Sequence, residues 1–406
     1  ARASMSRLLA VCVLCAISVH TCTGQGAEAG LSLLTADVEP TAKRVADVSV
    51  TDRSESAGQH MSRTGGSESA GQPVRQPGVI RHKNRQETSG NTVSVRMPWK
   101  VGLRATRPWS FTATVAPVAL GSALAFKLDS KFDVVSLVLS LVVTIGVHSA
   151  GNLLNTLFDY INGFDSPSSS DTTLVNGVLS ESQVWALIRR SYALSAVAAV
   201  PLALRSSAAP LQLLSLISAG AASAFVYTGG PGLKYKALGD VLITSTFGPL
   251  LVCFSYLVQS GRLTAAPILF SLPFASHIEA ILHANNARDI DEDRANDVRT
   301  LSSIMGRRTS FLFYAALIIA PYSMALVHSC SDSLLSALPL LTVPVGAKLV
   351  ADFGRGDLKR MPMRTAKFQF LFGMLGVVGV LLPSPPLLPV LRSLLQLAQK
   401  LAQRIQ

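Results

Sequence analysis

From Arg107 almost to the C-terminus, apolar residues run in long unbroken stretches separated by short polar loops. Crossing about 30 Å of hydrocarbon takes roughly 20 helical residues. The pattern predicts nine spans, near 107–126, 133–158, 183–205, 210–228, 238–260, 265–287, 309–328, 334–351 and 366–383. Continuous apolar runs without strict alternation predict helices and not a barrel, because a helix satisfies its backbone within one segment. The expected fold is therefore all-α and polytopic.

The chain before these spans reads differently. Residues 5–26 carry a basic start, a short apolar run and then small polar residues, which is the pattern of a signal or targeting segment. Residues 27–98 are polar and poor in aromatics, with SESAGQ at 54 and again at 67, and are expected to be a disordered tail. The membrane domain is expected over 99–385. Residues 386–406 are expected to form an amphipathic segment lying on the membrane surface.

Composition agrees with a lipid-embedded chain, with 49% hydrophobic and 15% charged residues among 406. The net charge of +12 does not point to nucleic acid, since the basic residues are spread over loops beside spans and not gathered into a patch with aromatics. They report topology instead. The N-terminal side and the loops after even-numbered spans hold Lys100, Arg104, Lys234, Lys236, Arg307 and Arg308 among others, whereas the opposite loops hold mainly Lys127, Lys131, Arg205 and Arg262. The positive-inside rule places the even loops in the cytosol. A cleaved signal at 5–26 would conflict with that placement. Five cysteines without metal-ligand spacing give neither a disulfide framework nor a zinc site.

Two polar clusters interrupt the apolar pattern. Asn152, Asn155 and Asp159 close the second span, and the same i, i+3, i+7 spacing returns as Asn286, Asp289 and Asp293 at the end of the sixth. That spacing puts each set on one helical face. Both run into polar loops containing Thr-Leu, which suggests an internal duplication around a shared cavity. Asp159 and Asp165 of the first motif, and Asp289 and Asp293 of the second, can ligate a divalent metal, while Asn152, Asn155, Arg288 and Arg294 can hold phosphate. Acids at the membrane boundary are expensive and so mark function. Glu279, flanked by His277 and His283 and seven residues before Asn286, is expected either to orient or deprotonate an acceptor or to make a structural bond to a neighbouring helix. GGPG at 229 lacks the ending of a phosphate-binding loop and reads as a turn.

The two motifs resemble those of UbiA-superfamily prenyltransferases, as do RPWSFTATVAPVALGSALA at 107, YTGGPGLKYKALGD at 227, TFGPL at 246 and MPMRTAK at 361. The spacing of Asp159, Gly163 and Asp165 resembles the naphthoquinone branch of that family more than the 4-hydroxybenzoate branch. The resemblance implies about nine transmembrane helices around a central cavity, with Mg²⁺ and a prenyl diphosphate held under cytosolic polar loops. Carried over by position, Asn152, Asn155, Asp159 and Asp165, with Asn286, Asp289 and Asp293, would hold metal and diphosphate, and Lys234 and Arg364 would add positive charge; Asp159 and Asp293, with Glu279 from its place on the helix, are the expected catalytic residues. It further implies an aromatic quinol as acceptor, a sterol-synthesis reductase as partner, and endoplasmic reticulum or Golgi membranes, with mitochondria as the alternative. Thr172 stands where animal relatives have a basic residue, and lysines expected near Pro167 and Ser168 are absent. Alternatives are a different aromatic acceptor, a cation transporter, or an isoprenoid-sensing regulator.

The charge asymmetry has a direct check. A Ser168→Cys variant in intact membranes is expected to react with an impermeant maleimide from the cytosolic side only; reaction from the lumen alone would invert the topology and favour a cleaved leader.

Overall fold

The computed structural model describes residues 98–405, so the expected leader at 1–26 and almost all of the polar tail at 27–98 lie outside the described residues. A short helix, α1 (Trp99–Ala105), precedes a single 3-10 turn at Pro108–Phe111 and the first long helix, α2 (Thr112–Asp129). There follow α3 (Val134–Ile161), α4 (Glu181–Arg205), α5 (Pro210–Val226), α6 (Gly239–Ser245) and α7 (Leu251–Ser260). The second half comprises α8 (Ala266–Arg288), α9 (Ile290–Ala295), α10 (Leu301–Ser331), α11 (Val343–Gly354), α12 (Met361–Leu381) and α13 (Leu387–Ile405). No strand occurs among the described residues, only an isolated bridge between Lys236 and Arg299.

Seven helical stretches among the described residues are long and apolar enough to cross a membrane: Pro108–Asp129, Val134–Ile161, Glu181–Arg205, Gly239–Ser260, Leu301–Ser331, Leu334–Gly354 and Met361–Leu381. The other two expected spans fall on α5 and α8. At 17 residues α5 is about 25 Å long, slightly short of the hydrocarbon thickness. By contrast α8 has 23 residues but carries His277, Glu279, His283, Asn285, Asn286 and Arg288, which make it too polar to be recognised from apolarity alone. Large apolar side chains such as Val197, Leu204, Leu211 and Leu341 point outward and are exposed, as lipid-facing residues must be.

Sequence details fix the joints. Pro249 removes a backbone donor inside the fourth apolar stretch, and the chain answers with a π turn at Thr246–Leu250 between α6 and α7. The N-cap of α3 is Asp133, which accepts from Ser136 N and from the Arg205 guanidinium; α4 starts on a capping box of Ser180 and Gln183. Within α10 the backbone leaves helical geometry at Gly306, where φ is 74° and ψ 170°. On the side that the charge pattern assigns to the lumen, every one of the four cations is engaged: Lys127 with Asp332, Lys131 with the Ser260 carbonyl, Arg205 with Asp133 and Arg262 with Asp129. Three of these four contacts are ion pairs and one is a hydrogen bond to a backbone carbonyl.

The bundle core is assembled from apolar faces of α2, α3, α7 and α12, with Leu120, Leu124, Leu137, Val252, Tyr256 and Val377 essentially inaccessible. A second cluster joins α8, α10, α11 and α12 through Ala280, Ala284, Tyr314, Phe353 and Phe368. Small residues set the closest approaches, as expected where packing alone drives helix association in lipid. At Gly121 a Cβ would collide with the Val252 carbonyl and lie 2.8 Å from Ser255 Cβ and 2.9 Å from Tyr256 N. Gly121→Val is therefore expected to destabilise the α2–α7 contact by about 1–3 kcal/mol, read as a lowered melting temperature in lipid nanodiscs. Gly220→Ala, whose Cβ would meet only Leu250 at 3.8 Å, is the control expected to leave it unchanged.

Candidate active site

The second apolar stretch ends in the polar face of α3, and the depth at which its acid sits dictates what surrounds it. Asp159 is 7% exposed. A carboxylate there needs donors, and three arrive from two places: Lys234 Nζ at 2.7 and 2.9 Å, Tyr235 OH at 2.8 Å, and Asn155 Nδ2 from one turn earlier at 2.8 Å. Lys234 and Tyr235 are delivered by a 3-10 turn, Leu233–Tyr235, that follows Gly232 in the left-handed region, φ 57°. Glycine tolerates that conformation. The GGPG segment is thus a turn that aims Lys234 at the first acidic motif.

Asp159, Asp165, Asp289 and Asp293 line one polar cavity together with Asp171, Glu292, Arg107 and Lys234. Acids outnumber cations there. Burial, and after it the neighbouring Asp159 and Asp171, push the Asp165 carboxyl up to about 7, against Lys234 and Arg107. Burial likewise pushes Asp293 up to about 6, although Thr300 donates to it at 2.8 Å. Thr300 is also the N-cap of α10, so one hydroxyl both starts a helix and holds a motif acid. Asp171 goes the other way. Burial would raise its carboxyl, but Arg107 at 2.8 Å and hydrogen bonds from Thr156 and Thr173 hold it well below the usual carboxylate range.

The roof of this cavity ties the two motifs together. Ser169 and Ser166, from the loop after α3, donate to Glu292 on α9. Arg288 donates to Ser170 at 2.8 Å while chelating its neighbour Asp289. Asn296 donates to the Phe164 carbonyl. Where lysines were expected, serine hydroxyls face Glu292 and Arg288, and near Thr172 the positive charge comes from Arg107 across the cavity.

Beneath lies a larger chamber enclosing about 1330 Å³, including its open mouth. Its wall is mostly apolar, with Trp109, Val143, Ile217, Ile243, Phe247, Phe254 and Ile278, and Arg107, Asn155 and Asn285 line both spaces. The two cavities therefore meet at those three side chains. A polar compartment rich in acids caps an apolar one between the helices.

Not every expected site residue reaches either cavity. Asn152 lines the chamber and donates to the Thr106 carbonyl and Ser110 Oγ. Asn286 and Glu279 are buried and line neither space. They do share a face of α8, but the chamber face is one residue earlier in phase: Ile278, Ile281, Leu282 and Asn285, spaced i, i+3, i+4 and i+7. Glu279 instead accepts from Thr244 at 2.8 Å and sits with Asp240 and His283 behind the chamber wall. Arg294 donates to the Ser303 carbonyl, and Arg364 pairs with Asp352 and Asp357; neither lines a cavity. Residues that the sequence reading passed over are Arg107, Asp171, Tyr235, Asn285 and Glu292. The visible signals were an arginine directly before Pro108 at the head of an apolar run, and a tyrosine adjoining Lys234.

The polar cavity presents a set of oxygen donors with no histidine or cysteine among its lining residues. That chemistry suits a hard divalent cation such as Mg²⁺, which is bound through one or two carboxylates together with substrate phosphates. The residues present fit such an ion, with Asp159 and Asp165 on one side and Asp289 and Asp293 on the other.

Comparison with known proteins places this architecture. A family model described as the UbiA prenyltransferase family matches residues 114–376. The UbiA prenyltransferase domain-containing protein 1 of Danio rerio is 40% identical over 287 residues, covering 71% of this chain and 85% of its own. Its Homo sapiens counterpart is 41% identical over 288 residues, covering 70% and 84%. Among solved structures, the apo form of a UbiA homolog from Aeropyrum pernix K1 superposes with a TM-score of 0.52 at 17% identity, over 66% of this chain and 97% of that one, a likeness of fold alone. The family match spans well over half the chain and the animal relatives are near two-fifths identical over most of their length: this chain belongs to the UbiA prenyltransferase family and is an integral-membrane prenyltransferase.

Proposed function

We propose that the protein transfers a geranylgeranyl-type isoprenyl group from its diphosphate to a naphthoquinol, in a Mg²⁺-dependent reaction giving a menaquinone-4-type product. The observation that carries this reading is the junction of the two cavities at Arg107, Asn155 and Asn285. A prenyl diphosphate is itself a polar head on an apolar chain, and it would lie across that junction with its head beneath the roof and its chain between the helices.

In the transfer the allylic C–O bond breaks, diphosphate departs, a carbon–carbon bond forms to the aromatic ring, and the displaced ring hydrogen leaves as a proton. Mg²⁺, held between Asp159 and Asp165 on one side and Asp289 and Asp293 on the other, would neutralise charge on the departing diphosphate. Lys234, already poised on Asp159, and Arg107 add fixed positive charge at the same place. The apolar wall excludes water from the allylic cation, so that ring attack and not hydrolysis completes the reaction.

The chamber also supports the choice of acceptor. Among its lining residues Arg107 is the sole cation, and it is paired with Asp171. A carboxylated ring such as 4-hydroxybenzoate would bury an unpaired charge there, at a cost of several kcal/mol, whereas an uncharged two-ring quinol would not.

Two outcomes follow. Asp159→Asn and Asp293→Asn should each lower prenyl transfer at saturating Mg²⁺ by at least about a hundredfold, about 2.7 kcal/mol, while the protein remains inserted and monodisperse; near-normal turnover in either would remove the metal-diphosphate assignment. With equal menadiol and 4-hydroxybenzoate in competition, the menadiol product should dominate by at least about tenfold, about 1.4 kcal/mol. Equal prenylation of the two would sink the naphthoquinol assignment and leave the prenyltransferase intact.

A further inference from the structure

Within the apolar chamber a histidine stands apart from the metal and diphosphate machinery. His148 lies on α3, one turn before Asn152 and two before Asn155, on the same helical face. At 1.5 Å per residue it sits about 10 Å along the helix from the rim where the cavities meet. It lines the chamber and is only half-buried there, while Thr114 beside it is 1% exposed.

Its ring is held in one orientation. Phe111 and Phe247 approach it edge-on, with centroids 5.4 and 4.7 Å away. Nδ1 lies 2.7 Å from Thr114 Oγ1 and Nε2 lies 3.1 Å from Ser110 Oγ. Proton bookkeeping settles the tautomer. Ser110 commits its single hydroxyl proton to the Arg107 carbonyl at 2.8 Å and accepts from Asn152 Nδ2 at 3.0 Å, so toward His148 it can only accept. Nε2 therefore carries the hydrogen and Nδ1 is the acceptor, filled by the Thr114 hydroxyl.

The result is a neutral imidazole with its basic nitrogen turned toward a hydroxyl, set in a wall of Val143, Phe247 and Phe254. An aromatic acceptor entering this space must place its own hydroxyl somewhere, and a buried hydroxyl without a partner is costly. Resting on the reading of the protein as a prenyltransferase for a quinol, we propose that His148, backed by Thr114 and Ser110, is the positioning site for a hydroxyl of the aromatic acceptor. The entering O–H donates to Nδ1 in place of Thr114, or to the Thr114 oxygen that itself donates to Nδ1. Either way the chain of donors ends on the same nitrogen, and the ring is held beneath the diphosphate end with a carbon facing the rim. The site favours an uncharged hydroxyl, since Nδ1 accepts a hydrogen bond and Arg107, the one cation lining the chamber, is paired with Asp171.

The test uses the full chain in nanodiscs, with geranylgeranyl diphosphate, Mg²⁺ and menadiol. His148→Phe keeps a ring between Phe111 and Phe247 but removes the acceptor nitrogen. It should raise the KM for menadiol by at least tenfold while the KM for geranylgeranyl diphosphate changes less than twofold, and His148→Gln should recover most of the loss. Equal changes in both KM values, or an unchanged menadiol KM, would overturn the proposal. Should His148→Phe fail to fold, the unmodified protein decides it. Menadiol should be preferred at least tenfold over its dimethyl ether, and equal use of the two overturns the inference. Absence of any prenylated product from the unmodified protein would instead remove the acceptor assignment on which the inference rests.

Discussion

The ion pair between Lys234 and Asp159 organises the polar compartment. A carboxylate nearly closed off at the end of a membrane helix cannot remain charged without donors at hand. Meeting that demand draws in the Leu233–Tyr235 turn between two spans, places the Tyr235 hydroxyl beside it, and anchors the far end of α3 against the connection from α5 to α6. The same demand, repeated at Asp171 by Arg107, fastens the entrance of α2 to the loop after α3. The polar compartment is built from obligations of this kind, and its geometry comes from satisfying buried charge more than from loop propensity.

Below it the constraint changes sign. The chamber is walled by side chains that also serve as bundle core, such as Val143, Leu251 and Phe254, so the apolar space is a continuation of helix packing that has been left unfilled. The polar and apolar compartments have opposite solvation, and they share three side chains, Arg107, Asn155 and Asn285. Serine contacts to Glu292 and Arg288 close the polar compartment without adding net charge.

Much of this was legible in the sequence, and the misses have a common cause. Long apolar runs gave the spans, the repeated polar spacing pointed to Asp159, Asp289 and Asp293, and the loop acid Asp165 after the first motif joins them in one cavity. The expected span count exceeds what length and apolarity support by two, because α5 is only 17 residues long and the polar side chains of the second motif mask α8. Periodicity told that Glu279 and Asn286 share a face but not which way that face turns. An error of one residue is about 100° on a helix, enough to exchange Asn286 for Asn285 at the cavity. Arg107 with Asp171, and Asp240 with Glu279 and His283, are contacts between distant segments, and no local spacing announces them. Arg294 has the fork to hold phosphate and Arg364 the charge to sit beside it, yet the Ser303 carbonyl takes up the first and Asp352 with Asp357 the second.

The break at Gly306 separates two mechanical regimes. Helices that cross a bilayer tilt to match its hydrocarbon thickness, and a rigid rod would carry any change of tilt to both its ends. In α10 the helical geometry is interrupted five residues after Leu301, so the segment that caps Asp293 through Thr300 is not the end of the same rod that faces the lipid. The turn headed by Thr300, which donates to Asp293, and the long apolar part of α10 after Gly306 are therefore two helical segments with separate axes, and the polar compartment is fastened to the shorter of them.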